Sequence, residues 1–213
     1  MENDKKIALS MFLSSVDHGI DDDIYLYKDI TRSGTLAMVA DEIKVRGIQG
    51  EIAELGVAYG DFSKLMNKLF PEKKIYLFDT FEGFNIQDCK VEQEKGYSSA
   101  REGVYSDTSV EKVLKVLPHP EKAVVRKGFF PNSAKGLEEK YCLVSIDCDL
   151  YQPIYEGLVY FYPRIVKGGY IFVHDYRSRY YRGVREALMR FSDEQGISYV
   201  VLPDNTGTAI IVK

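Results

Sequence analysis

The sequence predicts an α/β fold: a doubly wound, mostly parallel sheet of seven strands closed by a C-terminal antiparallel hairpin. Short apolar runs alternate with amphipathic stretches of helical period, a pattern that sets strands side by side with helices over both faces. Each candidate strand ends on a glycine or a polar residue, as strands opening onto a crevice do. The last two β-rich runs are joined by only Pro203, Asp204, Asn205, Thr206 and Gly207, the chemistry of a hairpin turn. No repeat or low-complexity linker divides the 213 residues, and a 45% hydrophobic content fills one core, so residues 1–213 read as a single domain.

The elements follow in order. Residues 1–47 form an N-terminal helical segment, clearest at 35–46 and broken by Gly47 and Gly50. A strand at 51–56 leads into a helix at 61–69, which Pro71 stops. A second strand spans 74–79 and ends on an acid. Residues 85–108 lack periodicity, carry Gly96 and Gly103, and read as a mobile lid. A helix at 109–117, strands at 123–127 and 142–147, a helix at 153–165 and a strand at 170–174 follow. The chain closes with a helix at 181–194 and strands at 198–202 and 208–212.

A formal charge of −4 gives no broad cationic surface, so neither nucleic acid nor an anionic membrane is an expected partner. Cys89, Cys142 and Cys148 are too few and wrongly spaced for a metal site and read as buried thiols in a reducing compartment. The apolar part of the first 15 residues is too short for a secretory core, and no run approaches a membrane span. The expectation is a soluble, cytoplasmic protein, with homo-oligomer formation left open.

The chemistry starts at Glu54, Gly56, Val57 and Gly60, where a strand ends, two glycines follow and a helix begins. Glycine lets backbone approach a ligand closely, and a helix N-terminus offers free N–H groups to a carboxylate. Glu54 is placed to accept from an ammonium group. Asp79, 25 positions later at the next strand end, is placed to accept ribose hydroxyls. Together they suit a nucleoside that carries an amino acid. The plainer reading is a tight turn and a loop cap. A nicotinamide dinucleotide is the rival ligand, but the spacing here is G-x-x-x-G, without the middle glycine of G-x-G-x-x-G that faces a pyrophosphate. Gly128 and Phe129 follow a strand end where an adenine ring is expected, although Phe129 also suits the core.

These segments resemble a known family. Gly50-Glu51-Ile52-Ala53-Glu54-Leu55-Gly56-Val57, Phe78-Asp79-Thr80-Phe81-Glu82-Gly83, Lys127-Gly128-Phe129-Phe130-Pro131 and Ile146-Asp147-Cys148-Asp149-Leu150-Tyr151 look like the macrocin O-methyltransferase family, as do Tyr162-Pro163, Gly168-Gly169-Tyr170 and His174-Asp175-Tyr176. The likeness runs from about residue 48 to the C-terminus. It implies a Rossmann-like class I methyltransferase sheet, which the closing hairpin also suits. It further implies S-adenosylmethionine surrounded by Glu54, Gly56, Val57, Gly60, Asp79, Thr80, Phe81, Gly128, Phe129 and Asp147, and a lid after Gly83. The family is commonly magnesium-dependent. Its metal positions fall here on Asp147, His174 and Asp175, with His174 standing where the family has an acid, although magnesium prefers oxygen.

Methyl transfer to a hydroxyl needs the acceptor positioned and its proton removed. Asp147, His174 and Asp175, at neighbouring strand ends, are the catalytic candidates. Either a divalent ion on Asp147 and Asp175 acidifies the hydroxyl, or His174 takes the proton directly. The plainer alternatives are a helix cap ahead of Pro153 for Asp149, which is not counted as catalytic, and a structural histidine satisfied by its neighbours for His174. Tyr176, Tyr180 and Tyr181, interleaved with Arg177, Arg179, Arg182 and Arg185, form a candidate rim for a sugar or an anionic group. The expected function is O-methylation of a small-molecule or glycan acceptor. An N-methyltransferase and a non-catalytic nucleoside-binding protein stay open beside it.

Overall fold

The structure, a computed structural model, describes residues 29–213. The part of the expected N-terminal segment before residue 29 lies outside the described residues. Element order is α1 (Ile30–Val45), β1 (Glu51–Leu55), α2 (Asp61–Leu69), β2 (Ile75–Asp79), α3 (Ile86–Glu94), α4 (Val110–Val116), β3 (Ala123–Lys127), β4 (Tyr141–Ile146), α5 (Tyr151–Phe161), β5 (Ile165–Val173), α6 (Gly183–Gln195), β6 (Val200–Val201) and β7 (Ala209–Val212).

The seven strands form one sheet in the order β3-β2-β1-β4-β5-β7-β6. The first five are parallel, while β7 runs antiparallel to both β5 and β6. Side chains alternate between two layers, as the pleat requires. Ala53, Tyr76, Phe78, Val144 and Ile146 pack with α5 and α6. Ile52, Ile75, Leu77 and Leu143 pack with α1, α2 and α4 on the other face. Among the described residues, no helix is long and apolar enough to cross a membrane.

Several boundaries differ from the sequence-based ones, each for a local reason. Helix α1 starts earlier than residue 35 because the Asp29 side chain accepts the N–H of Arg32 and caps it. Residues 85–108 contain helix α3, which apolar periodicity misses because its buried residues are Asp88, Cys89 and Glu92. Strand β5 begins at Ile165, well before residue 170, since Gly168 and Gly169 form an irregularity within it: the Gly168 N–H turns to the Lys213 carbonyl at 2.6 Å. The first hairpin strand shrinks to Val200–Val201.

Candidate functional site

The carboxyl ends of β1, β2, β3, β4 and β5 open onto a cavity of about 340 Å³, within the usual span of ligand pockets. It lies where the strand order reverses, at the junction of β1 with β4. Glu54, Gly56, Val57, Asp79, Thr80, Gly128, Phe129, Asp147, His174 and Asp175 line it. Gly60 and Phe81, expected there too, do not. Gly60 sits behind the wall in a left-handed conformation that starts α2, against Val113, and Phe81 is buried in the core.

The turn after β1 is shaped by close approach. Gly56 has φ +86°, and a Cβ there would collide with the backbone carbonyl of Asp147, so any larger residue would push β1 and β4 apart. Asp79 ties this turn down, accepting the N–H groups of Val57 at 2.7 Å and Ala58 at 3.0 Å on Oδ2 and that of Phe81 at 2.7 Å on Oδ1. A carboxylate accepts about four hydrogen bonds, so Asp79 keeps capacity for a ligand hydroxyl while holding the loop. Glu54 is completely buried and takes the Ser63 hydroxyl from α2. Burial pushes its carboxyl up to about 8, the Ser63 bond only partly opposing this. These residues fit the amino acid and nucleoside ends of S-adenosylmethionine: close backbone, a buried acid and a bound but unsaturated carboxylate.

The second half of the site is a charge network. His174 Nδ1 lies 3.0 Å from Asp147 Oδ1 and 3.5 Å from Asp175 Oδ2, and its Nε2 is 3.1 Å from the Thr206 hydroxyl. Arg32, from α1, donates from Nη1 to Asp147 Oδ2 at 3.0 Å and from Nη2 to Ser145 at 3.3 Å, with its guanidinium 3.9 Å above the Phe62 ring. Burial works against the charge on His174, yet Asp147 raises it to about 9; burial works against Asp147 too, yet His174 and Arg32 hold it well below the usual carboxylate range. Sequence reasoning missed Arg32 altogether.

Asp149 does not cap α5, whose N-cap is Leu150. Burial and a hydrogen bond to Asp175 instead raise Asp149 well above the usual carboxylate range, while Asp175 is lowered. Among the described residues, the non-glycine positions with left-handed backbone are Ala58, Phe81, Tyr105, Asp149 and Asp175, and all but Phe81 line the cavity. Such conformations cost about 1–3 kcal/mol each and gather where a site is built.

The expected aromatic and basic rim splits up. Tyr176 is buried against Tyr199, with the two hydroxyls 2.8 Å apart. Arg182 holds the carbonyls of Gly96 and Tyr97, and Tyr180 points into solvent. Phe84 and Tyr105, which were not anticipated, line the cavity, and Tyr181 packs edge-on to Phe84 at 5.8 Å.

Asp147, His174 and Asp175 lie close enough together, within 4.8 Å, to form a metal-type cluster. Their arrangement does not fit magnesium, a hard ion that needs near-octahedral oxygen ligands. The imidazole fills the gap between the two carboxylates, and a guanidinium holds the other oxygen of Asp147.

A family model described as macrocin O-methyltransferase (TylF) matches residues 29–209. No curated protein sequence matches the chain. Among solved structures, the O-methyltransferase NovP is similar with a TM-score of 0.71 at 18% identity, covering 86% of this chain and 80% of its own. The calicheamicin methyltransferase CalS11 gives 0.64 at 18% identity, covering 99% and 91%. A methyltransferase from Podospora anserina, PaMTH1, in its complex with S-adenosylhomocysteine gives 0.54 at 13% identity, covering 100% and 96%. At these identities the likeness is one of fold. The match over almost the whole described chain makes this protein a member of the macrocin O-methyltransferase family and an S-adenosylmethionine-dependent methyltransferase.

Proposed function

We propose that the chain methylates a hydroxyl of a small-molecule or sugar-like acceptor and that Asp175 receives the hydroxyl proton. One observation carries the reading: the glycine turn after β1 and the cluster of Asp147, His174 and Asp175 face one cavity from adjoining strand ends. The family description favours an oxygen acceptor, and one solved form of CalS11 is described as a TDP-rhamnose 3'-O-methyltransferase. When bound, the cofactor supplies a methyl carbon that the hydroxyl oxygen attacks, the carbon–sulfur bond breaking to leave a neutral thioether. Oxygen becomes strongly acidic as it is alkylated, so a carboxylate of low basicity suffices as the proton acceptor. Asp175 lines the cavity, and although burial opposes its charge, hydrogen bonds to His174 and Asp149 hold its carboxyl below the usual carboxylate range. His174, with both ring nitrogens engaged and its charge retained to about 9, positions Asp175 and does not serve as the base. Proton transfer to Asp175 thus departs from both expected mechanisms, the direct-histidine route and the metal-assisted one.

The test follows S-adenosylhomocysteine formation with a panel of nucleotide sugars, glycosides and matched amines. Hydroxyl acceptors should turn over, and Asp175→Asn should lower the rate by about 10²–10⁴-fold while cofactor affinity stays constant. Turnover on amines alone would move the chain to nitrogen chemistry. No S-adenosylhomocysteine formation with any acceptor would favour a nucleoside-binding protein.

A further inference from the structure

The cluster at the ends of β4 and β5 already has nitrogen partners for its central carboxylate, and the chain supplies both. Each oxygen of Asp147 faces a nitrogen: Oδ2 is 3.0 Å from Arg32 Nη1, and Oδ1 is 3.0 Å from His174 Nδ1. Arg32 is held in place from several sides, since its side chain is 2% exposed, stacks on Phe62 and reaches Ser145. The surrounding loops brace both side chains together. Asp29 accepts the N–H of Arg32 at 3.1 Å and that of Asn205 at 2.7 Å, and the next residue, Thr206, sets the far nitrogen of His174. The start of α1 and the turn before β7 thus form one frame around the cluster.

A magnesium ion is poorly served by that frame. It would need oxygen ligands at about 2.0–2.1 Å in octahedral array, in the gap where the imidazole edge lies. It would also meet a guanidinium on the far side of its own carboxylate ligand, and like charges repel in a partly buried site.

We propose that the side-chain nitrogens of Arg32 and His174 occupy the place around Asp147 that the family resemblance assigns to a divalent ion, so that Asp147 is the shared partner of two side-chain donors and the site works without metal. This rests on the reading of the cavity as the methyl-transfer site, but its test needs neither acceptor nor turnover. Chelator-treated wild-type protein is titrated with Mn²⁺ by electron paramagnetic resonance of the free ion and with Mg²⁺ by calorimetry. The expected result is no saturable binding of either ion. The double variant Arg32→Gln with His174→Asp removes the guanidinium and turns the imidazole into a third carboxylate. It should bind Mn²⁺ saturably at concentrations where wild type shows no saturation. Saturable binding in wild type that disappears in Asp147→Asn overturns the proposal. So does a folded double variant with no gain in Mn²⁺ affinity. Should the double variant not fold, His174→Asp alone replaces it with the same expected direction. A chain that binds no metal and methylates nothing contradicts the proposed function and not this inference.

Discussion

Glu54 occupies a central strand position where a charge has no solvent, and the acid answers by keeping its proton to about 8. An ammonium group docking on it favours the ionised form. Binding of S-adenosylhomocysteine should therefore release a proton, and affinity should climb as pH rises from about 6 to about 7.5, below the range where the ligand's own α-amino group titrates. Calorimetry in buffers of different ionisation heat measures that proton. Glu54→Gln should abolish both the release and the slope, and a wild-type profile as flat as the variant's would detach Glu54 from the ammonium. The same shift has a sign for stability. Because the folded carboxyl titrates above its unfolded value, its stabilisation is complete below the unfolded value and is lost as pH rises through about 8. At pH 8 the ligand-free Gln variant should then be the more stable one. Glu54, Asp79, Asp147, His174 and Asp175 could be picked out from sequence because strand ends fix where such side chains emerge. Arg32 left a subtler trace: it shares the buried helical stripe of Leu36, Ala40 and Ile43, where an arginine signals a buried partner. A helix start set at residue 35 hid it.

Helix α3 shows why polar elements escape a search for apolar period. Its inward face carries Asp88 and Glu92, and what anchors it is a carboxylate: Glu92 Oε1 accepts the Tyr151 N–H at 2.7 Å. Glu92 thereby supplies the N-terminal cap that Leu150 cannot give α5, which leaves Asp149 to turn toward Asp175. The contact is tight, because α6 begins beside it at Gly183, where a Cβ would collide with the Glu92 carboxylate. Glu92→Ala should leave a buried N–H unpaired and cost about 1–3 kcal/mol. Glu92→Gln keeps an acceptor oxygen and should lose much less. Amide hydrogen exchange over residues 85–97 reports the effect: it should quicken in the Ala variant, and unchanged protection there would mean that something other than Glu92 anchors α3. If this segment is the lid that the sequence suggests, Glu92 is its fixed end.

At the scale of the molecule, the seven-stranded order places β1 and β4 side by side at the reversal point, and both halves of the site hang from that junction. The alternation of strands and helices and the closing hairpin gave this architecture away, since parallel strands need crossover helices and sequential pairing leaves few other arrangements. The irregularity at Gly168 and the brevity of β6 were not readable, because they depend on which neighbour each strand finds. A ligand seated across the junction touches β1, β2 and β4 together and must stabilise the whole sheet by mass action. At about 100 times its dissociation constant, S-adenosylhomocysteine should add about 2.7 kcal/mol. For a chain of 213 residues, at roughly 2–4 °C per kcal/mol, the melting temperature should then rise by about 5–11 °C. Reduced nicotinamide dinucleotide at the same concentration should leave it unchanged, because the turn after β1 has no glycine facing a pyrophosphate. Thermal melts with each ligand decide between them, and an equal rise with the dinucleotide would mean that the turn after β1 seats a pyrophosphate despite its spacing.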